Sequence, residues 1–330
     1  MSRDKALSDN PGLAVYPIGE VARETGVNSV TLRAWERRYG LLQPQRTPKG
    51  HRLYTRRDID RVLRIVRLID QGIPVGRIRA LLEGTENEQG KSEVTPFGAE
   101  FATLNGDILA ACKQFHPRAL GAAINRGLST LPLDVFYRRV LEPTRMELRS
   151  LAERAELPAA VTAFFDSLVS QRLAALLVQR DTQHARKNPR VWLCGLPRED
   201  ERIALLAHAL ACAERGLQPV ALTAPIPPHA ITNALHRAGA QALVLIARSP
   251  VVDSATEQAL MALSSEGGLS CLVGGAAALM SEDAFSAIGF EALPSNLTIA
   301  ATLIQKRVEA INSDTARFAY REDDLICTNT

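Results

Sequence analysis

Residues 16–54 read Tyr-Pro-Ile-Gly-Glu-Val-Ala-Arg-Glu-Thr-Gly-Val-Asn-Ser-Val-Thr-Leu-Arg-Ala-Trp-Glu-Arg-Arg-Tyr-Gly-Leu-Leu-Gln-Pro-Gln-Arg-Thr-Pro-Lys-Gly-His-Arg-Leu-Tyr, and this stretch sets the class of the chain. Ile18, Val21 and Ala22 recur at the spacing of one buried helical face, which predicts a first helix from Ile18 to about Glu24. Thr25-Gly26-Val27 breaks it: glycine permits the positive φ of a sharp turn, and Asn28 or Ser29 offers a side-chain oxygen to the free N–H groups opening the next helix. In that second helix Leu32, Trp35 and Tyr39 share one side and anchor it to a core, whereas Thr31, Arg33, Arg37 and Arg38 stay outside. Gly40 closes it.

From Gln43 to Tyr54 the pattern is two short strands around a turn, with cations at and beside the tip. This is the layout of a winged helix-turn-helix. Such a wing lays Arg46, Lys49 and Arg52 on phosphates and sends His51 or Arg52 toward a minor groove, contacts that fix register more than base identity. The expected DNA-facing set is Asn28, Ser29, Thr31, Arg33, Arg37, Arg38, Arg46, Lys49, His51, Arg52 and Tyr54. Thr55 to Asp58 forms a cap for a third helix with Ile59, Val62, Leu63, Val66 and Ile69 as its apolar stripe. Arg57, Arg61 and Arg64 lie off that stripe and read equally well as a solvated face. A fourth helix follows Gly72 and Pro74, with Val75, Ile78 and Leu82 inward and Arg77 and Arg79 outward.

Ile-Gly-Glu-Val-Ala, Thr-Leu-Arg-x-Trp-Glu-Arg-Arg-Tyr-Gly-Leu-Leu-x-Pro and Gly-x-Arg-x-Tyr occur in this order over about seventy residues. Together they resemble the MerR family of transcription regulators, and Trp-Glu-Arg-Arg-Tyr resembles the branch that includes CarH, LitR and MlrA-like proteins. The resemblance implies a helix in the major groove and a wing in the flanking minor groove. It also implies a homodimer or higher oligomer that bends double-stranded promoter DNA and so acts on RNA polymerase indirectly.

Charge supports a division of labour. The chain carries 39 basic and 36 acidic side chains. Residues 1–83 hold 16 Lys plus Arg against 9 Asp plus Glu, leaving 23 against 27 in the remainder. A basic head on a mildly acidic body suits a protein that touches a polyanion through one module, with salt-sensitive binding. No apolar run approaches the ~18 residues needed to cross a bilayer, and residues 1–10 mix charges, so a loose arm and a cytoplasmic location without membrane contact are expected. Cys112, Cys194, Cys212, Cys271 and Cys327 are scattered with no Cys-x-x-Cys, which argues against a disulfide framework or a compact metal site.

The expected domains are an arm (1–14), the winged helix-turn-helix (15–83), a polar linker (84–96), a four-helix bundle (97–187), a Rossmann-like domain (188–312) and a tail (313–330). The fold class is multidomain, α and α/β. Helical patterns near 98–114, 117–128, 132–155 and 158–185 form the bundle, and Pro143 falls where it can split the third. From Arg190, short apolar runs at Val191–Cys194, Pro219–Leu222, Ala242–Ile246 and Ser270–Val273, with a weaker one at Phe290–Leu293, alternate with helices, implying a doubly wound parallel sheet. Its ligand edge lies beyond the strand carboxyl ends, at Gly195–Arg198, Ala247–Pro250 and Gly274-Gly275.

Bundle plus sheet resembles the cobalamin-binding module of that regulator branch, in which Asp-x-His-x-x-Gly, or Glu first, follows the first strand and the imidazole is the lower cobalt ligand. The corresponding residues here are Glu199-Asp200-Glu201-Arg202-Ile203-Ala204, with Glu201 at the histidine position and Ala204 at the glycine position. The Ser-x-Leu of the third strand reads Ile246-Ala247-Arg248, and only Gly274-Gly275 matches closely. The bundle's Trp and Glu-His equivalents, around Ala152 and Thr162-Ala163, are small or uncharged. The departures imply a kept fold without His-ligated cobalamin, whose module serves effector sensing, oligomerisation or docking of a sensory partner protein. The carboxylates at 199–201 read as helix-dipole complements, His208 and Cys212 as packing rather than metal ligands, and Gly274-Gly275 as a tight turn. No nucleophile, general-acid pair or metal triad marks an enzyme; a light-sensing cobalamin regulator and a corrinoid enzyme component are the alternatives.

Overall fold

The computed structural model describes residues 15–70, 75–82, 99–181, 189–196, 200–224, 226–249, 253–265 and 268–326, side chains from 313 onward excepted. The chain divides into two compact units, 1–172 and 173–330.

The first unit opens with β1 (Tyr16–Pro17), α1 (Ile18–Thr25) and α2 (Ser29–Tyr39). Gly26 takes the left-handed conformation, φ 69°, that the turn between the helices needs. The Asn28 side chain caps α2 by accepting from the Thr31 N–H at 2.8 Å. The hairpin β2 (Gln45–Arg46) and β3 (Arg52–Tyr54) follows, and β1 pairs with β3 to make a three-stranded antiparallel sheet. That first strand is too short to leave a period in the sequence. In α3 (Arg56–Asp70), Ile59, Val62, Ile65 and Ile69 are buried. Its cap is reciprocal, with the Asp58 carboxylate accepting from the N–H and hydroxyl of Thr55, both at 2.8 Å. α4 (Val75–Leu82) buries Val75 and Ile78; Gly72 and Pro74 and the Arg77 side chain lie outside the described residues.

The bundle helices are α5 (Ala99–Lys113), α6 (Pro117–Thr130), α7 (Leu133–Phe136), α8 (Glu142–Glu153) and α9 (Ala160–Asp181), with a π turn at Tyr137–Leu141 between α7 and α8. Pro143 explains that turn: its ring displaces the carbonyl four residues earlier and removes a donor, so the helix widens rather than breaks. In α9, Val161, Phe165, Val169 and Leu173 form a fully buried stripe at helical spacing. Arg145 and Asp166 are buried beside it and form a two-pronged ion pair of 2.8 and 3.2 Å. Contrary to the sequence expectation, one described helix, Ala160–Arg180, is long and apolar enough by composition to cross a bilayer, although it also carries Asp166, paired with Arg145 of α8.

The second unit holds a five-stranded parallel sheet of β4 (Arg190–Gly195), β5 (Gln218–Leu222), β6 (Ala242–Ile246), β7 (Ser270–Gly274) and β8 (Glu291–Ala292), in the order β5-β4-β6-β7-β8. All five residues of β6 are buried, as a central parallel strand covered on both faces requires. The covering helices are α10 (Arg202–Glu214), α11 (Thr232–Ala238), α12 (Ser254–Ser264), α13 (Ala276–Met280), α14 (Glu282–Ala287) and α15 (Leu297–Ile326). α13 and α14 leave no period in the sequence, because each is under two turns long and Ser281 separates them. α15 continues through 312 to Ile326, so the expected tail begins as helix. Cys112, Cys194, Cys212 and Cys271 are buried free thiols, and burial pushes the first three up to about 12; Cys327 lies outside the described residues.

Candidate nucleic-acid interface

α2 is amphipathic across two very different surfaces. Leu32 and Trp35 are fully buried and Tyr39 is half-buried, while Arg33, Arg37 and Arg38 are exposed and form no salt bridge among the described residues. Lys49 and His51 are exposed at the hairpin tip, where the Thr47 N–H donates to the His51 carbonyl at 2.9 Å and the Gly50 N–H to the Thr47 carbonyl at 2.8 Å. α2 and the hairpin tip therefore both turn basic side chains, Arg33, Arg37, Arg38 and Lys49, to solvent, and such groups attract phosphates.

Behind that ridge stands an acid that sequence reading passed over. Glu36, the one carboxylate of α2, accepts from Arg46 Nη2 at 3.1 Å and from Arg52 Nη2 at 3.2 Å, and pairs again with Arg52 Nε. Arg52 is only 19 % exposed, and the hydrogen bonds it donates to the Glu36 carboxylate hold its guanidinium above the ordinary arginine range. Tyr54, two residues along the strand, lies on the same face and is fully buried. Its hydroxyl has no partner among the described residues, and burial pushes it up to about 12.

Three expected contacts are thus placed elsewhere. Tyr54 is a core residue, because strand alternation turns it inward with Arg52. Asn28 and Thr31 are buried at the start of α2, where Thr31 Oγ1 donates to the Leu128 carbonyl at 3.2 Å and Asn28 Nδ2 to the same oxygen at 3.5 Å. Trp35 Nε1 donates to the Thr130 carbonyl at 3.0 Å. The last turn of a helix leaves carbonyls without intrahelical donors, and here the end of α6 finds them on α2. Ser29 is half-buried. Among the third-helix arginines, Arg57 and Arg64 are exposed, whereas Arg61 donates from Nε to the Leu41 carbonyl at 2.7 Å and braces the end of α2.

In the second unit, strand order reverses between β4 and β6, which makes their carboxyl ends the crevice of the sheet. Glu201, 8 % exposed, precedes α10 there, and its carboxylate pairs with Arg248, which follows β6. His208 is buried on α10, with Nδ1 2.8 Å from the Ala204 carbonyl. Its ring lies so close to Gly274 that a Cβ there would meet Nε2 at 3.0 Å. Gly275 has φ 87°, and an added Cβ would fall 2.4 Å from the Ala247 carbonyl oxygen, so these glycines allow a tight strand-to-helix turn. Cys212 is buried one turn beyond His208.

The family described as MerR HTH family regulatory protein matches residues 16–85. The HTH-type transcriptional repressor CarH of Myxococcus xanthus is 30% identical over 227 residues, 67% of this chain and 74% of that protein. The chain belongs to the MerR family. Within it, the HTH-type transcriptional regulator MlrA of Salmonella typhimurium is 54% identical over 77 residues, 23% of this chain and 32% of that protein. The chain thus spans about a third of the length of the MlrA relatives it matches. The Methanosarcina barkeri monomethylamine corrinoid protein aligns over 62% of this chain and 98% of its own, with 14% identity and a TM-score of 0.49.

For a MerR-family chain that resembles the cobalamin-binding branch, the sheet edge is the place to test the cofactor's fit. Where that branch has an imidazole, Glu201 offers a carboxylate already paired with a guanidinium, and Arg248 occupies the place of the expected leucine. Ala204 is buried where the motif has glycine. His208 stands two turns along the helix, bonded to the Ala204 carbonyl and close to Gly274. These residues do not fit a His-ligated corrinoid. Glu199, Pro250 and Arg198 lie outside the described residues.

Proposed function

We propose that this MerR-family chain is a sequence-specific DNA-binding transcription regulator that engages double-stranded promoter DNA as a homodimer or higher oligomer. It works in the cytoplasm by binding rather than by turnover. The observation that carries the reading is the exposure of Arg33, Arg37 and Arg38 on α2 and of Lys49 and His51 at the tip of a hairpin that is ion-paired to the same helix. Paired heads at a fixed spacing read two half-sites and deform the promoter, which alters access for RNA polymerase. The bundle and sheet serve effector sensing, oligomerisation or docking of a sensory partner, and do so without His-ligated cobalamin. The Glu201–Arg248 pair supports that second statement, because a paired carboxylate supplies no neutral nitrogen ligand.

One set of samples tests both. Duplexes are selected from a random pool by the full-length protein, and affinity is followed by fluorescence anisotropy from 50 to 300 mM salt, on the order of the range over which counterion release dominates. A steep fall in affinity, and its loss in Arg33→Ala, is expected; salt-independent binding would remove the reading. The same protein incubated with adenosylcobalamin is expected to keep a colourless spectrum after gel filtration, and retained visible bands would revive the light-sensing alternative.

A further inference from the structure

We propose that Glu36 is a positioning residue that clamps the wing to the reading helix and so sets the spacing between the two elements that meet DNA. The inference rests on the DNA-binding reading of the head. An acid on a helix with three arginines, inside a module of net positive charge, is electrostatically misplaced for a polyanion partner. It is tolerated because both of its oxygens are spoken for by the wing.

Strand register explains why the wing needs it. Arg46 and Arg52 are direct cross-strand partners, so two like charges stand opposite one another on the same face of a two-strand hairpin. That arrangement splays the hairpin unless an anion lies between them. Glu36 is that anion: it takes Arg52 through both oxygens and Arg46 through one, and only 15 % of its side chain is exposed. The three groups form a network bridging 16 residues of sequence from α2 to β3. The wing tip, with Lys49 and His51, is then held at a set distance from Arg33, Arg37 and Arg38. Arg52 becomes a strut more than a free phosphate contact, whereas Arg46, 53 % exposed, keeps donors for DNA.

The clamp and simple electrostatics predict opposite signs. Glu36→Gln removes a negative charge from a DNA-binding surface, so charge alone makes binding tighter and its salt dependence steeper. The clamp predicts weaker binding, about tenfold on a duplex selected by the wild-type full chain, with a salt slope no steeper than wild type as wing phosphate contacts are lost. On an unselected mixed-sequence duplex of equal length the loss is smaller. Arg52→Lys keeps the charge but cannot present two parallel donors. The clamp predicts a loss of the same order for it, and electrostatics predicts none. Thermal melts establish that each variant is folded, and if Glu36→Gln is not, Arg52→Lys decides. Equal or tighter binding by the folded variants overturns the clamp alone. Absence of salt-sensitive binding by the wild-type protein overturns the DNA reading and the clamp with it.

Discussion

Two glutamate–arginine clusters, one in each unit, use the same chemistry to different ends. Glu36 draws Arg46 and Arg52 of the wing onto α2 but leaves Arg33, Arg37, Arg38, Lys49 and His51 in solvent. Glu201 draws Arg248 across the switch point of the sheet, between the strand ends of β4 and β6. The first cluster is a brace beneath a cationic surface. The second ties the start of α10 to the end of β6 at the carboxyl edge of the sheet. A buried ion pair is a poor source of net stability but a strict geometric constraint, since removing one partner strands the other. The lesson is that the same pair can brace an exposed surface or tie a helix to a strand end, and that the neighbours decide which.

The comparison is most exposed to failure at the sheet edge. Gly275→Ala combines a positive φ with a Cβ 2.4 Å from the Ala247 carbonyl, and a loss of roughly 3 kcal/mol in urea unfolding is expected; unchanged stability would mean that this turn is not constrained. Next comes Arg248→Ala, which leaves the mostly buried Glu201 carboxylate without its guanidinium and should cost about 2 kcal/mol, discounted for the partial exposure of Arg248. Pairing it with Glu201→Gln is expected to recover much of that loss, and strict additivity of the two changes would show that they do not interact. In the head the pattern inverts. Arg33→Ala should leave the melting curve within the roughly 0.5 kcal/mol typical of surface changes while lowering duplex affinity by about tenfold. Lys49→Ala is the smallest: a reduction of the salt slope by about 0.9, nearly uniform across sequences, with no change in fold. A Lys49 effect confined to one selected sequence would instead assign it to base readout.

Much of the head was legible because its signals are local. The spacing of Leu32 and Trp35 marks a buried face, Gly26 marks the turn, and the Thr55 to Asp58 pattern gives the cap that forms. Strand alternation could also have shown that Arg52 and Tyr54 share a face, so that a buried Tyr54 turns Arg52 toward the helix. Thr31 and Asn28 were different. Helical periodicity left Thr31 outside, and only the carbonyls at the end of α6, almost 100 residues away in sequence, turned it inward. Glu36 carried one faint signal, an acid among arginines, and Arg145 and Asp166 carried none, because a charged residue's burial depends on a partner that sequence does not name.

By itself the sequence determined the family, the winged head, its cationic ridge and the parallel sheet, since each is written in short-range periodicity, turn residues and ordered motifs. It also placed Glu201, rather than a histidine, just ahead of the first helix of the sheet domain. Tertiary structure alone decided which charges are free and which are committed: Arg52 against Glu36, Arg248 against Glu201, Thr31 and Trp35 against the end of α6. The physical reason is that a side chain's ionic and hydrogen-bond partners are set by distance in space, and folding brings together groups whose separation along the chain carries no pattern.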